Sequence, residues 1–291
     1  MAMRWLILSV LTALTVATQD AWVKKFFSHR SPYDMVAYPC LYSLPLFAVT
    51  LLVAPRPSLD RVFVWCLLLS LPINGIGFTL YMQAIRVSPL SLTLPYLAFT
   101  PVFMILTGWT VLGETLNGWG MCGIVTTCLG SYILNLTPKQ KSMLDPIRSI
   151  LREPGSRIMV VVALLFSFGA VVGKKGILHS SPLYFMVAFF TLFNGLTPAV
   201  LWMLGKIHPA TFRQHPLKGL TAGVLMFVQA LLHGYAISIA KAAYMISIKR
   251  LSILFGVLYG GLVFKETQIP VRFSGAALML SGAVLILVKG N

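Results

Sequence analysis

Charge is what this sequence has least of. Only 10% of its 291 residues are Asp, Glu, Lys or Arg, against roughly 25% in soluble domains, and that deficit excludes an ordinary soluble chain. Acids are scarcest, seven against 23 Lys plus Arg. The chain has no H-E-x-x-H, no C-x-x-C and no G-x-S-x-G, so metal-dependent and nucleophilic catalysis have no motif to rest on. The expectation is a protein that is not an enzyme and needs no cofactor or metal. No P-loop is present either, which argues against ATP as an energy source. The four cysteines, Cys40, Cys66, Cys122 and Cys128, lie in apolar runs without metal-ligand spacing and read as small packing side chains. The net charge of +16 comes with no nucleic-acid motif. Its cations sit mostly in short loops, where they set orientation and meet anionic lipid headgroups. The expected partners are therefore membrane lipid and a small molecule, with no nucleic acid.

What remains is apolar: 57% of residues are hydrophobic and the mean hydropathy is +0.84. Crossing a bilayer takes about 20 apolar residues per helix. Ten such stretches nearly fill the chain, over 4–27, 32–54, 60–86, 89–112, 117–136, 157–178, 182–205, 216–240, 242–264 and 269–288. The first is too long for a signal-peptide core and lacks a small-x-small cleavage site, so it reads as a helix. The fold class is all-α and integral to a membrane. The Asn135-Leu-Thr137 sequon is weak evidence at a helix end.

The chain repeats itself. "VKKFFSHRSPYDMVA" at 23–37 returns as "GKKGILHSSPLYFMV" at 173–187, with Lys24, Lys25, His29, Ser31 and Pro32 matching Lys174, Lys175, His179, Ser181 and Pro182 at an offset of 150. "LTGWTVLGETLNGWGMCGIVTTCLG" at 106–130 returns as "LYGGLVFKETQIPVRFSGAALMLSG" at 258–282, with Glu114 matching Glu266 at an offset of 152. Two homologous halves follow, 1–142 and 143–291, joined by a linker at about 137–157. Five spans in each half is an odd number, so the second half enters the membrane inverted. Inverted repeats are typical of secondary transporters, with the substrate site near the midplane between them.

The duplicated "LGETLNGWGMCGIVTTCLGSYIL" at 112–134 and "FKETQIPVRFSGAALMLSGAVLI" at 264–286, with "YMQAIRVSPLSLTLPYLAFTPVF" at 81–103, resemble the drug/metabolite transporter superfamily. The similarity is to its ten-helix branch with two EamA-type repeats. That resemblance implies a transporter with both termini in the cytoplasm and, by default, metabolite or amino acid export. "SIKRLSIL" at 247–254 also resembles the Lys-Arg pair on the ninth helix of the sugar-phosphate/phosphate translocators. There the pair holds the substrate's phosphate. The resemblance is local, and the other phosphate-binding positions of that branch are not clearly present.

The Lys249-Arg250 pair has no counterpart in the first half, where the offset of 152 gives Leu97 and Ala98. A charge at mid-bilayer costs about 2.5–3.5 kcal/mol on insertion scales. Lys249 stands seven residues into its span, or about 10 Å. Snorkelling to the surface is one reading. The other is that one or both cations meet a negative charge on a substrate or on Asp20. Asp20, the acid deepest in a span, is a candidate for a coupling proton or an ion pair; its plainer reading is a headgroup-level i,i+4 bridge to Lys24. Asn74, Tyr81, Gln83, Tyr96, Gln229, His233 and Tyr235 are polar groups in apolar surroundings. They read either as helix–helix hydrogen bonding or as the lining of a substrate cavity formed by the third, fourth, eighth and ninth spans.

Other features have bland expectations. Glu114 and Glu266 read as caps of the helices that follow them. Lys24, Lys25, Lys174 and Lys175 read as snorkelling anchors. Gly108, Gly123, Gly130, Gly260, Gly261, Gly275 and Gly282 read as packing positions. Pro72, Pro95 and Pro101 can kink helices. Orientation is pulled two ways: termini inside leaves seven Lys/Arg on the cytoplasmic side against fourteen opposite, the reverse of the positive-inside rule. The linker's Met143, Leu144, Ile147, Ile150 and Leu151 make an amphipathic stretch that could lie on anionic lipid.

The functional expectation is a secondary transporter of a small polar organic metabolite, anionic in its sharper form (amino acid-like or phosphorylated), in a bacterial cytoplasmic membrane. The alternatives are a flippase for an anionic lipid or lipid-linked headgroup, and a non-transporting membrane scaffold or sensor.

Overall fold

A computed structural model describes residues 2–89, 93–134, 153–264 and 270–290. Glu266, the sequon and most of the linker, including the expected boundary at 142/143, lie outside the described residues. The first five spans are α1 (Ala2–Phe27), α2 (Pro32–Val53), α3 (Arg61–Val87), α4 (Phe99–Leu112) entered through a 3₁₀ turn (Leu94–Ala98), and α5 (Gly118–Leu134). The second five are α6 (Pro154–Leu178), α7 (Pro182–Met203), α8 (Pro216–Ile239), a ninth span in two pieces, α9 (Ala242–Lys249) and α10 (Ser252–Phe264), and α11 (Pro270–Lys289). Among the described residues there are ten apolar spans, the two-piece ninth counted once, seven of them long enough to cross a membrane outright and three shorter. The ten expected spans and the all-α membrane class agree with this.

Local sequence explains the helix boundaries. Ser31 and Ser181 cap α2 and α7, accepting from the backbone N–H of Asp34 at 3.0 Å and of Tyr184 at 3.1 Å, and a proline follows each cap. These side chains satisfy donors that the first turn leaves free, and proline at N1 has no N–H to lose. Asp60 caps α3 through Phe63 N at 2.8 Å, and Glu153 caps α6 through Ser156 N at 2.8 Å. Gly113 ends α4 with φ of 67°, a left-handed conformation that glycine adopts without a Cβ clash.

The halves interlock by exchange. α1 packs on α8 and the broken ninth span, while α6 packs on α3 and α4; α2 pairs with α7, and α5 with α11. Even single contacts repeat: Lys24 Nζ donates to Ser88 O at 2.8 Å, and Lys174 Nζ to Ala240 O at 2.5 Å. Along the α5–α11 contact, a Cβ on Gly130 would lie 2.6 Å from Met279 N, and one on Gly282 would lie 2.6 Å from Gly123 O. Glycine is what lets these two backbones touch. Gly108 and Gly261 have no such neighbour within 3.4 Å, so the packing expectation fails there.

Between α2 and α7, Asn194 Nδ2 donates to Ser43 Oγ at 2.9 Å, and Ser43 Oγ donates to Pro39 O at 2.6 Å. This is the interhelical polar bonding that an apolar solvent demands. Trp65, Trp109 and Trp119 are exposed near the start of α3, the end of α4 and the start of α5, and indole rings favour the membrane–water boundary.

Candidate functional site

Two discontinuities meet at the centre of the bundle. The fourth span carries the 3₁₀ turn at Leu94–Ala98, and the ninth breaks at Arg250–Leu251. At that break the bonding tightens, with Leu251 N to Ile248 O at 3.0 Å and Ile253 N to Arg250 O at 2.9 Å. The offset of 152 places the two interruptions at equivalent positions of the repeat. The stretch from Ala242 to Lys249 is itself continuous α-helix, and the break follows it. No proline marks the break, and Arg250 is itself the C-cap of α9. Broken spans at mid-membrane are tolerated where they line a cavity.

A cavity of about 190 Å³ lies there, well beyond the ~15 Å³ that one water needs. Its polar lining holds Lys249, Arg250, Asp20, Tyr81, Asn74, Gln229 and His233. Arg250 is 5% exposed and donates from Nη2 to Thr100 Oγ1 at 2.9 Å, while its Nε has no partner. Lys249 Nζ lies 3.5 Å from His233 Nδ1. Gln229 Nε2 donates to Gln19 Oε1 at 2.9 Å, and Asn74 Nδ2 to Ser70 O at 2.8 Å. Asp20, also 5% exposed, accepts from the Tyr81 hydroxyl at 2.5 Å. Lys249 and Arg250 are the cations that act on it.

The structure thus brings together seven of the ten expected site residues. Gln83 and Tyr235 are exposed and off the cavity, and Tyr96 is buried outside its lining. The bridge between Asp20 and Lys24 is absent: Asp20 faces inward to Tyr81, and Lys24 reaches Ser88 O. Snorkelling of the Lys249-Arg250 pair is overturned for Arg250, which is buried at the break.

Sequence reasoning drew the walls too narrowly. The cavity is also lined from α1, α6 and α7, by Gln19, by Lys174, and by Phe185, Phe189 and Phe193. The four-residue spacing of those phenylalanines was the available signal for one aromatic face. Lys174 is a second correction. It is 6% exposed, ion-paired with Glu114, and bonded to Ala240 O at 2.5 Å. A snorkelling lysine would show its head to water. Glu114 does cap a helix, but the distant α9 rather than α5, accepting from Ala242 N at 2.8 Å. One carboxylate thus ties the α4–α5 turn to α6 and to the start of the ninth span. At the same end, Asp60 Oδ2 meets His179 Nδ1 at 2.5 Å. The Phe63 N–H first, and then His179, hold the Asp60 carboxyl below the usual carboxylate range.

With inverted halves, a broken-helix cavity and long apolar helices in place, comparison with known proteins adds a family match. Residues 3–136 match the EamA-like transporter family. That match suggests secondary transport, since the family it points to comprises transporters, not enzymes. A solved crystal structure of a protein, 13% identical, has the same fold, with a TM-score of 0.70 over 98% of this chain and 95% of that one. No curated protein matches the chain.

Proposed function

We propose that this EamA-like protein carries a small polar, anionic organic metabolite across a bacterial cytoplasmic membrane by alternating access. The observation that carries this reading is Arg250, buried, and Lys249, half-buried, on a broken helix at a cavity that also holds several polar side chains. Two cavity-lining cations with one carboxylate nearby leave an excess of positive charge, and an anion is the solute that offsets their desolvation. Arg offers a planar fork and Lys a point charge. The phenylalanines from α7 suit the carbon skeleton of an organic solute rather than a bare inorganic ion. The cavity lining runs from Asp20 and Arg250 to Ile177, in the last turn of α6, so access from the Glu114 end is the natural reading. The moving parts would be the two repeats, 1–142 and 143–291, rocking about the central site.

Proteoliposomes loaded with a mixed pool of labelled metabolites test this. The expected outcome is flux of an anionic solute in the wild type and none with Lys249→Ala or Arg250→Ala, although both variants fold and insert. Normal flux in both variants would remove the site assignment. A flippase is a second reading with its own support, since Lys25, Lys218 and Lys206 ride on the rings of Phe26 and Tyr33 at one membrane edge, where anionic headgroups lie. Translocation of a headgroup-labelled lipid without metabolite flux would favour it, and flux of neither would favour a scaffold.

A further inference from the structure

The cavity carries its own counter-charge. We propose that a dianionic substrate replaces Asp20 as the partner of Lys249 and Arg250, and that Asp20 takes up one proton as it does so, so that dianion and proton cross together. This rests on the reading of the cavity as the substrate site. Among the described residues Asp20 is the one acid buried in the interior of a span. Its surroundings define the charge balance. From α3 comes Tyr81; from the broken ninth span come Lys249 and Arg250, and Tyr259, which bonds Thr18 at 2.8 Å. From α8 comes His233, beside Lys249. α2 carries Tyr38 and Cys40, buried but off the cavity lining. Lys174 from α6 also lines the cavity, but Glu114 already neutralises it.

Two cations and one carboxylate therefore leave the site one positive charge in excess. A monoanion balances it with Asp20 ionised. A dianion overshoots by one negative charge, with two anions side by side in a low-dielectric cavity. Such a site restores neutrality most cheaply by protonating the carboxylate. The proton comes from the bulk solution, through the open side of the cavity, and settles on an Asp20 oxygen, so the site gains one positive charge and the solution loses one. Tyr81 suits both states, because a hydroxyl that donates to a carboxylate can turn and accept from the protonated acid. Arg250 Nε, buried without a partner, is a donor in reserve for the incoming oxoanion.

Sulfate is a suitable probe, being a dianion that does not itself titrate near neutral pH. Purified protein in weakly buffered detergent solution with a pH dye should stabilise thermally on adding sulfate and take up about one proton per bound anion. The linkage sign is definite: protons favour the dianion-bound state, so sulfate binding weakens as pH rises, by about tenfold per unit once Asp20 is ionised in the unliganded protein. Asp20→Asn should bind sulfate with no proton uptake and a flat pH profile. Asp20→Glu should restore the uptake, and His233→Gln should leave it intact. In the wild type alone, infrared difference spectra should gain a protonated-carboxyl band when sulfate replaces chloride. Uptake that persists in Asp20→Asn, uptake lost in His233→Gln despite binding, or no carboxyl band would each overturn the proposal. If sulfate gives no stabilisation at all, the dianion site fails, while metabolite flux abolished by Arg250→Ala would still uphold the transporter reading.

Discussion

Single residues carry most of what is specific to this chain, and their burial decides their roles. Lys174 and Lys24 are sequence equivalents, and both reach a backbone carbonyl at the start of the sister region. Their lysine heads are structural. Glu114 joins Lys174 to the α9 N-terminus with little solvent access, 7% and 16% for the two side chains. Removing one member of such a pair costs about 3–5 kcal/mol, because the other charge is left buried and alone. Glu114→Ala should therefore lower the melting temperature sharply, whereas Glu114→Gln with Lys174→Met should recover much of the loss. A double-mutant cycle read by thermal denaturation checks this; additive losses would contradict a direct pair. The duplication was legible in the letters "KK…HSSP" and "GE/KE". The partners were not, because a carboxylate that looks local in sequence can cap a helix 128 residues away.

At the level of helices, the sequence located all ten spans but not the interruption of the ninth. Hydropathy is blind to a helix break when no proline or glycine marks it, and "SIKRLSIL" contains neither. The α5–α11 seam was legible, since Gly123, Gly130, Gly275 and Gly282 recur at the repeat offset. Which of the duplicated glycines actually touch was not. A methyl at Gly130 meets backbone atoms, which cannot swing aside as a side-chain tip can. Gly130→Ala should cost about 1–3 kcal/mol by overpacking, and Gly261→Ala, with nothing within 4 Å, should cost none of that. Equal melting temperatures for the two variants would mean the seam does not bind these helices together.

Across the whole molecule, exchange between inverted halves places a near-symmetric frame around an asymmetric centre. The frame repeats its caps, its lysine contacts and its glycine seam. The centre does not: Lys249 and Arg250 stand where the first half has Leu97 and Ala98, and Asp20 faces them from α1. A fold shared with a chain only 13% identical shows that the frame tolerates wide sequence change. The most direct measurement is a thermal-shift screen of the purified protein against metabolites, run in parallel on Arg250→Gln, because a ligand that binds the folded state must stabilise it. The account predicts an anionic metabolite that raises the melting temperature of the wild type and leaves that of Arg250→Gln unchanged. Equal stabilisation of both proteins by that metabolite would contradict it.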